Sequence, residues 1–270
     1  MNHKDPDGFQ SLTEIPESTM KIPAYLYKYR SLSNDDWERD LIVNQILYFP
    51  DSKSLNDPFD CNPAIDTSST REDMNKFIRG FVNRTLKTES RENRRRHARE
   101  IQRDKQKFVK VMTLAHRQIM EQLGVFSLTS ECLDLLMWAH YADKHQGICI
   151  RFNTLQLLYE GHVPIPVEYA HERPLTNPAS EEPEKSTIAT VQTKGKAWAY
   201  EKEWRLILNQ GGNTSVRLER AVIDGVIVGA RINDSDLGKI RQWIMRADRR
   251  IDLFRACFHK RRYGLVLESI

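Results

Sequence analysis

The chain has no apolar run longer than a few residues, so no segment is read as a membrane-spanning helix. Residues 1–18 are polar and lack an apolar stretch, which excludes a secretory signal. Cysteine is scarce: Cys61, Cys132, Cys149 and Cys257 are widely spaced, with no C-x-x-C. That spacing excludes the common zinc ribbons and gives no disulfide framework, so a reducing, cytoplasmic setting is expected. G-x-G-x-x-G, Walker A and G-x-S-x-G are absent, which removes the Rossmann, P-loop and hydrolase-elbow readings at motif level. His140 and His145 stand five apart and do not share a helix face as H-x-x-x-H ligands would, so no metal site is expected. No internal repeat or low-complexity tract stands out.

What is present suits a folded chain. The sequence has 270 residues, 40% of them hydrophobic and 29% charged, with a mean hydropathy of −0.60. Five Trp, nine Tyr and ten Phe supply core material, which excludes disorder as the main state. The length allows one large domain or two small ones. The net charge of +4 hides an asymmetry: residues 87–110 hold ten Lys/Arg, from Lys87 to Lys110, against four Asp/Glu. Such a run is either a solvated helix face or a basic arm for a polyanion. No aromatic side chain interleaves it between Lys87 and Phe108, so base stacking is not expected there.

Residues 1–22 read as a polar, flexible tail and 23–270 as a single α+β domain with a helical insertion at 71–123. Strands are expected at 24–30, 46–49, 124–130, 147–152, 167–169, 222–228, 251–258 and 263–268, and helices at 37–44, 133–142 and 236–246. Met74, Phe77, Ile78, Phe81 and Val82 predict one amphipathic helix. Phe108, Met112, Ala115, Ile119 and Leu123 predict a second, with the basic run at their join. The strands are short and follow no strict βαβ rhythm, which favours α+β over a doubly wound sheet.

Five constellations carry chemical potential. If 198–208 is a strand, Glu201, Glu203 and Arg205 share one face and Trp198, Tyr200, Trp204, Leu206 and Leu208 the other. Two carboxylates side by side orient a hydroxyl, accept a proton or stabilise a cation; the alternative is a solvated face paired with Arg205, and a helix is also compatible with the apolar spacing. Ser127 and Thr129 share a strand face where hydroxyls position a carboxylate or contact a ribose, while Ser130 suits a helix cap. Arg30, at a strand end, forks onto phosphate or carboxylate oxygens or stays a surface arginine. Asn56-Asp57-Pro58-Phe59-Asp60 reads as a turn with Phe59 anchored in the core, its two acids also suiting a metal. Trp138, Tyr141 and His145 form an aromatic wall on one helix face.

The order Tyr27-Lys28-Tyr29-Arg30, Asn56-Asp57-Pro58-Phe59, Phe126-Ser127-Leu128-Thr129, Trp138-x-x-Tyr141, Gly147-Ile148-x-Ile150 and Trp198-x-Tyr200-Glu201-x-Glu203-Trp204-Arg205 resembles a large bacterial family of unknown function. The resemblance runs from about Tyr25 to the C-terminus and implies no activity. Three elements also resemble the arginine–serine–glutamate arrangement of ADP-ribosyltransferases: Arg30, Ser127-x-Thr129-Ser130, which departs from a contiguous Ser-Thr-Ser by one inserted Leu, and Glu201-x-Glu203. That resemblance implies small mixed or antiparallel sheets around a cleft that binds NAD as substrate. Arg30 would contact a diphosphate or ribose oxygen, and Ser127 and Thr129 would line the cofactor site. Phe126 or Trp138 would stack on nicotinamide. Glu203 would hold the ribose 2′-hydroxyl and stabilise the oxocarbenium charge, and Glu201 would orient or deprotonate the acceptor. The acceptor is a macromolecule or water, and a role as a bacterial toxin or defence effector is implied. Two other classes compete: a metal-dependent nuclease using Asp57, Asp60, Glu201 and Glu203, and a non-catalytic module binding nucleic acid or protein through residues 87–110.

Overall fold

The computed structural model describes residues 21–177 and 183–270. The tail read at 1–22 therefore lies, apart from Lys21 and Ile22, outside the described residues. The described chain opens with β1 (Tyr25–Arg30), α1 (Asp35–Asn44) and β2 (Ile46–Phe49). A 3-10 turn at Ser52–Ser54 and β3 (Ala64–Ile65) lead into α2 (Arg71–Thr85), α3 (Arg91–Arg103) and α4 (Lys105–Gln122). Next come β4 (Gly124–Thr129), α5 (Leu135–Tyr141), β5 (Ile148–Asn153) and α6 (Thr154–Tyr159). The short strands β6 (Ile165–Pro166), β7 (Glu168–Ala170) and β8 (Leu175–Thr176) precede α7 (Pro183–Gln192) and β9 (Thr193–Gly195). A 3-10 turn at Lys196–Glu201 then leads to β10 (Glu203–Leu208), β11 (Thr214–Arg217), β12 (Ile223–Val228), α8 (Asp234–Arg246), β13 (Asp252–Phe258) and β14 (Leu265–Ser269). No helix among the described residues is long and apolar enough to cross a membrane.

The fold is α+β, but its main sheet is larger than expected. Eight strands run in the order β14-β13-β12-β5-β1-β4-β10-β6, and three two-stranded ribbons (β11–β2, β3–β8, β7–β9) stand apart. Strands apolar on both faces are covered on both sides, which lets them zip into one sheet rather than several. Within it β12 and β13 are parallel, joined through α8 as a crossover, and the other neighbours are antiparallel.

The period of two assigns the layers. Leu26, Phe126, Leu128, Ile148, Ile150, Phe152, Trp204 and Leu206 point to one face and pack with Leu41, Ile42, Ile240 and Trp243 of α1 and α8. Tyr29, Cys149 and Ile227 point to the other, under Met137 and Trp138 of α5. Asn34 caps α1 by accepting from the Trp37 N–H. Asp134, rather than Ser130, caps α5 through the N–H groups of Leu136 and Met137.

Two further expectations change. The basic run is a helix of its own, α3, rather than a join. Ser90 caps it, Asp104 ends it and caps α4, and its Ala98 and Ile101 share a small core with Ile78, Val82, Phe108 and Met112. Phe59 is 63% exposed, because the turn buries Asp57 and Asp60 instead.

Candidate functional site

β1 pairs with β5 from Tyr25 opposite Asn153 to Arg30 opposite Ile148, but meets β4 only at Tyr27 opposite Thr129. β4 in turn pairs with β10 along its whole length, Ser127 facing Arg205 and Thr129 facing Glu203. The sheet is thus interrupted at one seam. A cavity of about 120 Å³ opens there, between Tyr27, Lys28 and Tyr29 on one side and Ser127 and Thr129 on the other. Tyr141 of α5, Asn56 of the turn, and Lys194, Glu201 and Glu203 add polar groups to its wall, and Leu55, Leu128 and Met137 add apolar ones.

The acidic side of the cavity rests on a buried ion cluster. Arg205 is fully buried. Its Nη1 and Nη2 donate to the Asp60 carboxylate at 3.0 and 2.6 Å, its Nε to Glu203 Oε1 at 2.8 Å, and its Nη1 to the Val191 carbonyl at 2.8 Å. Lys194 Nζ donates to Glu203 Oε2 at 2.9 Å and also to Glu201. The Tyr141 hydroxyl donates to Glu201 Oε1 at 2.6 Å and accepts from Asn56 Nδ2 at 2.9 Å. The Glu203 N–H is taken by the Tyr169 hydroxyl at 2.7 Å.

Glu201 reaches this cluster by a route other than strand alternation. Lys202 adopts the left-handed conformation (φ 43°, ψ 51°), which ends the 3-10 turn and starts β10 at Glu203. Of the two readings of 198–208, strand or helix, the strand therefore holds only from Glu203 onward. The two carboxylates still converge, because Lys194 draws both.

Their environments differ. Burial pushes Glu203 up, but Arg205 and then Lys194 more than reverse this and bring it down to about 2. For Glu201 burial outweighs the attraction of Lys194, and the carboxyl is held above its ordinary value. Lys28 is lowered to about 7, first by burial and then by repulsion from Arg30, against the attraction of Glu203. Pleat direction aims Lys28 at the Leu26 face. There its side chain bridges the seam, donating to the Ser127 carbonyl at 2.8 Å with the ammonium 4.3 Å from the Phe126 ring centroid.

Of the residues singled out in the sequence, Glu201, Glu203, Ser127 and Thr129 meet at the cavity. Arg30, Phe126 and Trp138 do not line it. Arg30 shares the strand face of Leu26 and pairs with the buried Glu38 of α1 at 3.1 Å, because α1 packs on that side of the sheet. Phe126 is a core residue between Phe49 and Phe152. Trp138 is fully buried, donates to the Cys132 carbonyl at 2.9 Å and meets Tyr29 edge-on. The nuclease carboxylates are taken up elsewhere: Asp57 accepts from the Phe59 N–H, and Asp60 and Glu203 hold Arg205. Among the described residues no group of three His, Cys, Asp or Glu is placed to hold a metal ion. Lys28 was visible inside a motif but was not singled out, Tyr141 was read only as part of an aromatic wall, and Lys194 carried no local signal.

Comparison with known families bears on the same stretch of chain. Residues 137–206 match the model of a protein family of unknown function, DUF2971. The matched segment runs from α5 to β10 and contains Tyr141, Lys194, Glu201, Glu203 and Arg205. No curated protein and no solved structure matches the chain.

Proposed function

We propose that the seam cavity is the active site of an enzyme that cleaves the bond between a ribose anomeric carbon and a nitrogen leaving group. NAD is the substrate, and ADP-ribosyl transfer or NAD hydrolysis is the outcome. The supporting observation is one pocket holding two carboxylates whose surroundings push their proton affinities apart, Glu203 down to about 2 and Glu201 upward. Such a division marks a fixed anion and a proton carrier.

In this reading the C1′–N bond breaks and its electron pair leaves with neutral nicotinamide. Glu203, ionised throughout the working pH range, stabilises the oxocarbenium charge left on the ribose. An acceptor hydroxyl adds to C1′ and passes its proton to Glu201; in hydrolysis a water adds instead and releases its proton to solvent. Lys28 replaces Arg30 as the β1 cation beside the substrate. A cavity of about 120 Å³ is smaller than the roughly 300–1,000 Å³ of drug-sized ligand pockets, so it takes the nicotinamide-ribose end and leaves the remainder outside.

A second reading is favoured by the depth of the ion cluster: Glu201 and Glu203 are scaffold, and the pocket binds without turnover. One experiment separates them. Free nicotinamide and acceptor labelling are followed for wild type, Glu203→Gln and Glu201→Gln, with melting temperatures alongside. The enzymatic reading expects a loss of about 10²–10³-fold in nicotinamide release for Glu203→Gln. For Glu201→Gln it expects impaired labelling with NAD hydrolysis spared. Full turnover by folded Glu203→Gln refutes it. No turnover in wild type, with a large fall in melting temperature for Glu203→Gln, supports the scaffold reading.

A further inference from the structure

We propose that α3 is a docking surface for the phosphate backbone of double-stranded DNA, recognised without regard to sequence. Arg91, Arg95, Arg99 and Arg103 recur every fourth residue, and all four are exposed. At 1.5 Å per residue they form a stripe with steps of about 6 Å and a length of about 18 Å. Ala98 and Ile101 hold the helix on the small core shared with α2 and α4. The row winds around the helix, so Arg99 and Arg103 lie opposite Ile101 and Arg91 lies at the margin of the buried face, and all four guanidinium groups stay at the surface.

This arrangement works against helix stability. Like charges at i, i+4 repel, and Arg91 stands in the first turn, where a cation opposes the helix dipole. Among the described residues no carboxylate lies within ion-pairing distance of any of the four, although Arg39 and Lys239 find such partners elsewhere on the surface. Glu100 is held by Lys107 at 2.8 Å, and Glu92 stands exposed within the stripe. A set of cations left unanswered at that cost fits an external polyanion.

The side-chain chemistry narrows the partner. Arginine forks match phosphate oxygens. The exposed positions of α3 carry no apolar side chain, whereas protein interfaces are built around an apolar centre. No aromatic residue lies within α3 to stack on unpaired bases, as single-strand binders require. The wide major groove of B-form DNA admits the side of a helix, and the deep, narrow groove of A-form RNA does not.

The test is fluorescence anisotropy of a labelled 30-base-pair duplex with the full chain, titrated at several salt concentrations. With one phosphate contact from each of the four arginines and a fifth from the adjacent exposed Arg96, affinity should fall about 500-fold between 50 and 200 mM salt, and unrelated duplexes should compete equally. Replacing the four arginines with glutamine keeps helix propensity and should flatten the log–log salt slope to about −1. The four-lysine variant should retain the salt slope. Binding unchanged in the glutamine variant, salt-independent binding, or none at 50 mM salt overturns the proposal. So does tighter binding of duplex RNA or of an acidic peptide.

Discussion

Arg205→Met removes the cation at the centre of the buried cluster while keeping most of the side-chain volume. Arg205 is fully buried, and its donors reach Asp60, Glu203 and the Val191 carbonyl. With it gone, Asp60 and Glu203 must share Lys194 with Glu201; the ammonium lies 2.9 Å from Glu203 and 3.9 Å from Asp60. Breaking a buried pair from one side costs about 3–5 kcal/mol. In a chain of this size that lowers the melting temperature by about 6–20 °C. Proton linkage gives a figure of the same order. Glu203 moves from an ordinary 4.5 to about 2, which corresponds to roughly 3 kcal/mol. That contribution is present above pH 4.5 and is lost as pH falls towards 2. Without Arg205, burial dominates and the Glu203 carboxyl rises. The stability gap between wild type and variant should therefore narrow on acidification from pH 6 to pH 3. Thermal melts of both proteins across that range provide the assay. A fall of less than about 2 °C at pH 7, or a gap that widens in acid, refutes the reasoning.

Two other variants probe the seam. Lys28 is held at about 7 against an ordinary 10.5, so between pH 7 and 10 the unfolded chain binds more protons and wild-type stability rises with pH. Lys28→Met should remove that rise, and parallel melting curves from pH 7 to 10 would contradict it. Tyr141→Phe deletes the hydroxyl that donates to Glu201 and should cost about 1 kcal/mol, read in the melting temperature. It should also raise the Glu201 carboxyl further, moving the acidic limb of acceptor labelling to higher pH; an unmoved limb would separate Tyr141 from Glu201.

Local elements were legible wherever period and punctuation agreed. Strand 46–49, with its flanking turn residues, and the helix begun by the acids after Asn34 both follow from sequence. The shared face of Ser127 and Thr129 follows from strand period alone. Long-range pairing was not legible. Nothing near Arg30 says that α1 will bring Glu38 beneath it, and nothing near Lys194 says that it will meet carboxylates on both sides of Lys202. Phe126 and Trp138 misled for a related reason: an aromatic side chain beside a motif has the same composition whether it faces a ligand or the core. The break at Lys202 was hidden because alternation across 198–208 continues through a left-handed residue that leaves no mark in the hydrophobic pattern.

The seam also has a mechanical meaning. On one side β1 is laddered to β5 and β5 to β12, and on the other β4 is laddered to β10, so two half-sheets meet along a line with almost no backbone bonding. Beneath that line Leu26, Phe126, Leu128 and Ile150 belong to a single core, so side-chain packing rather than backbone bonding fastens the halves to each other. The floor of the cavity is therefore a joint between two sheet halves, and Lys28 is the tie across it, replacing a missing backbone bond with one from its ammonium to the Ser127 carbonyl.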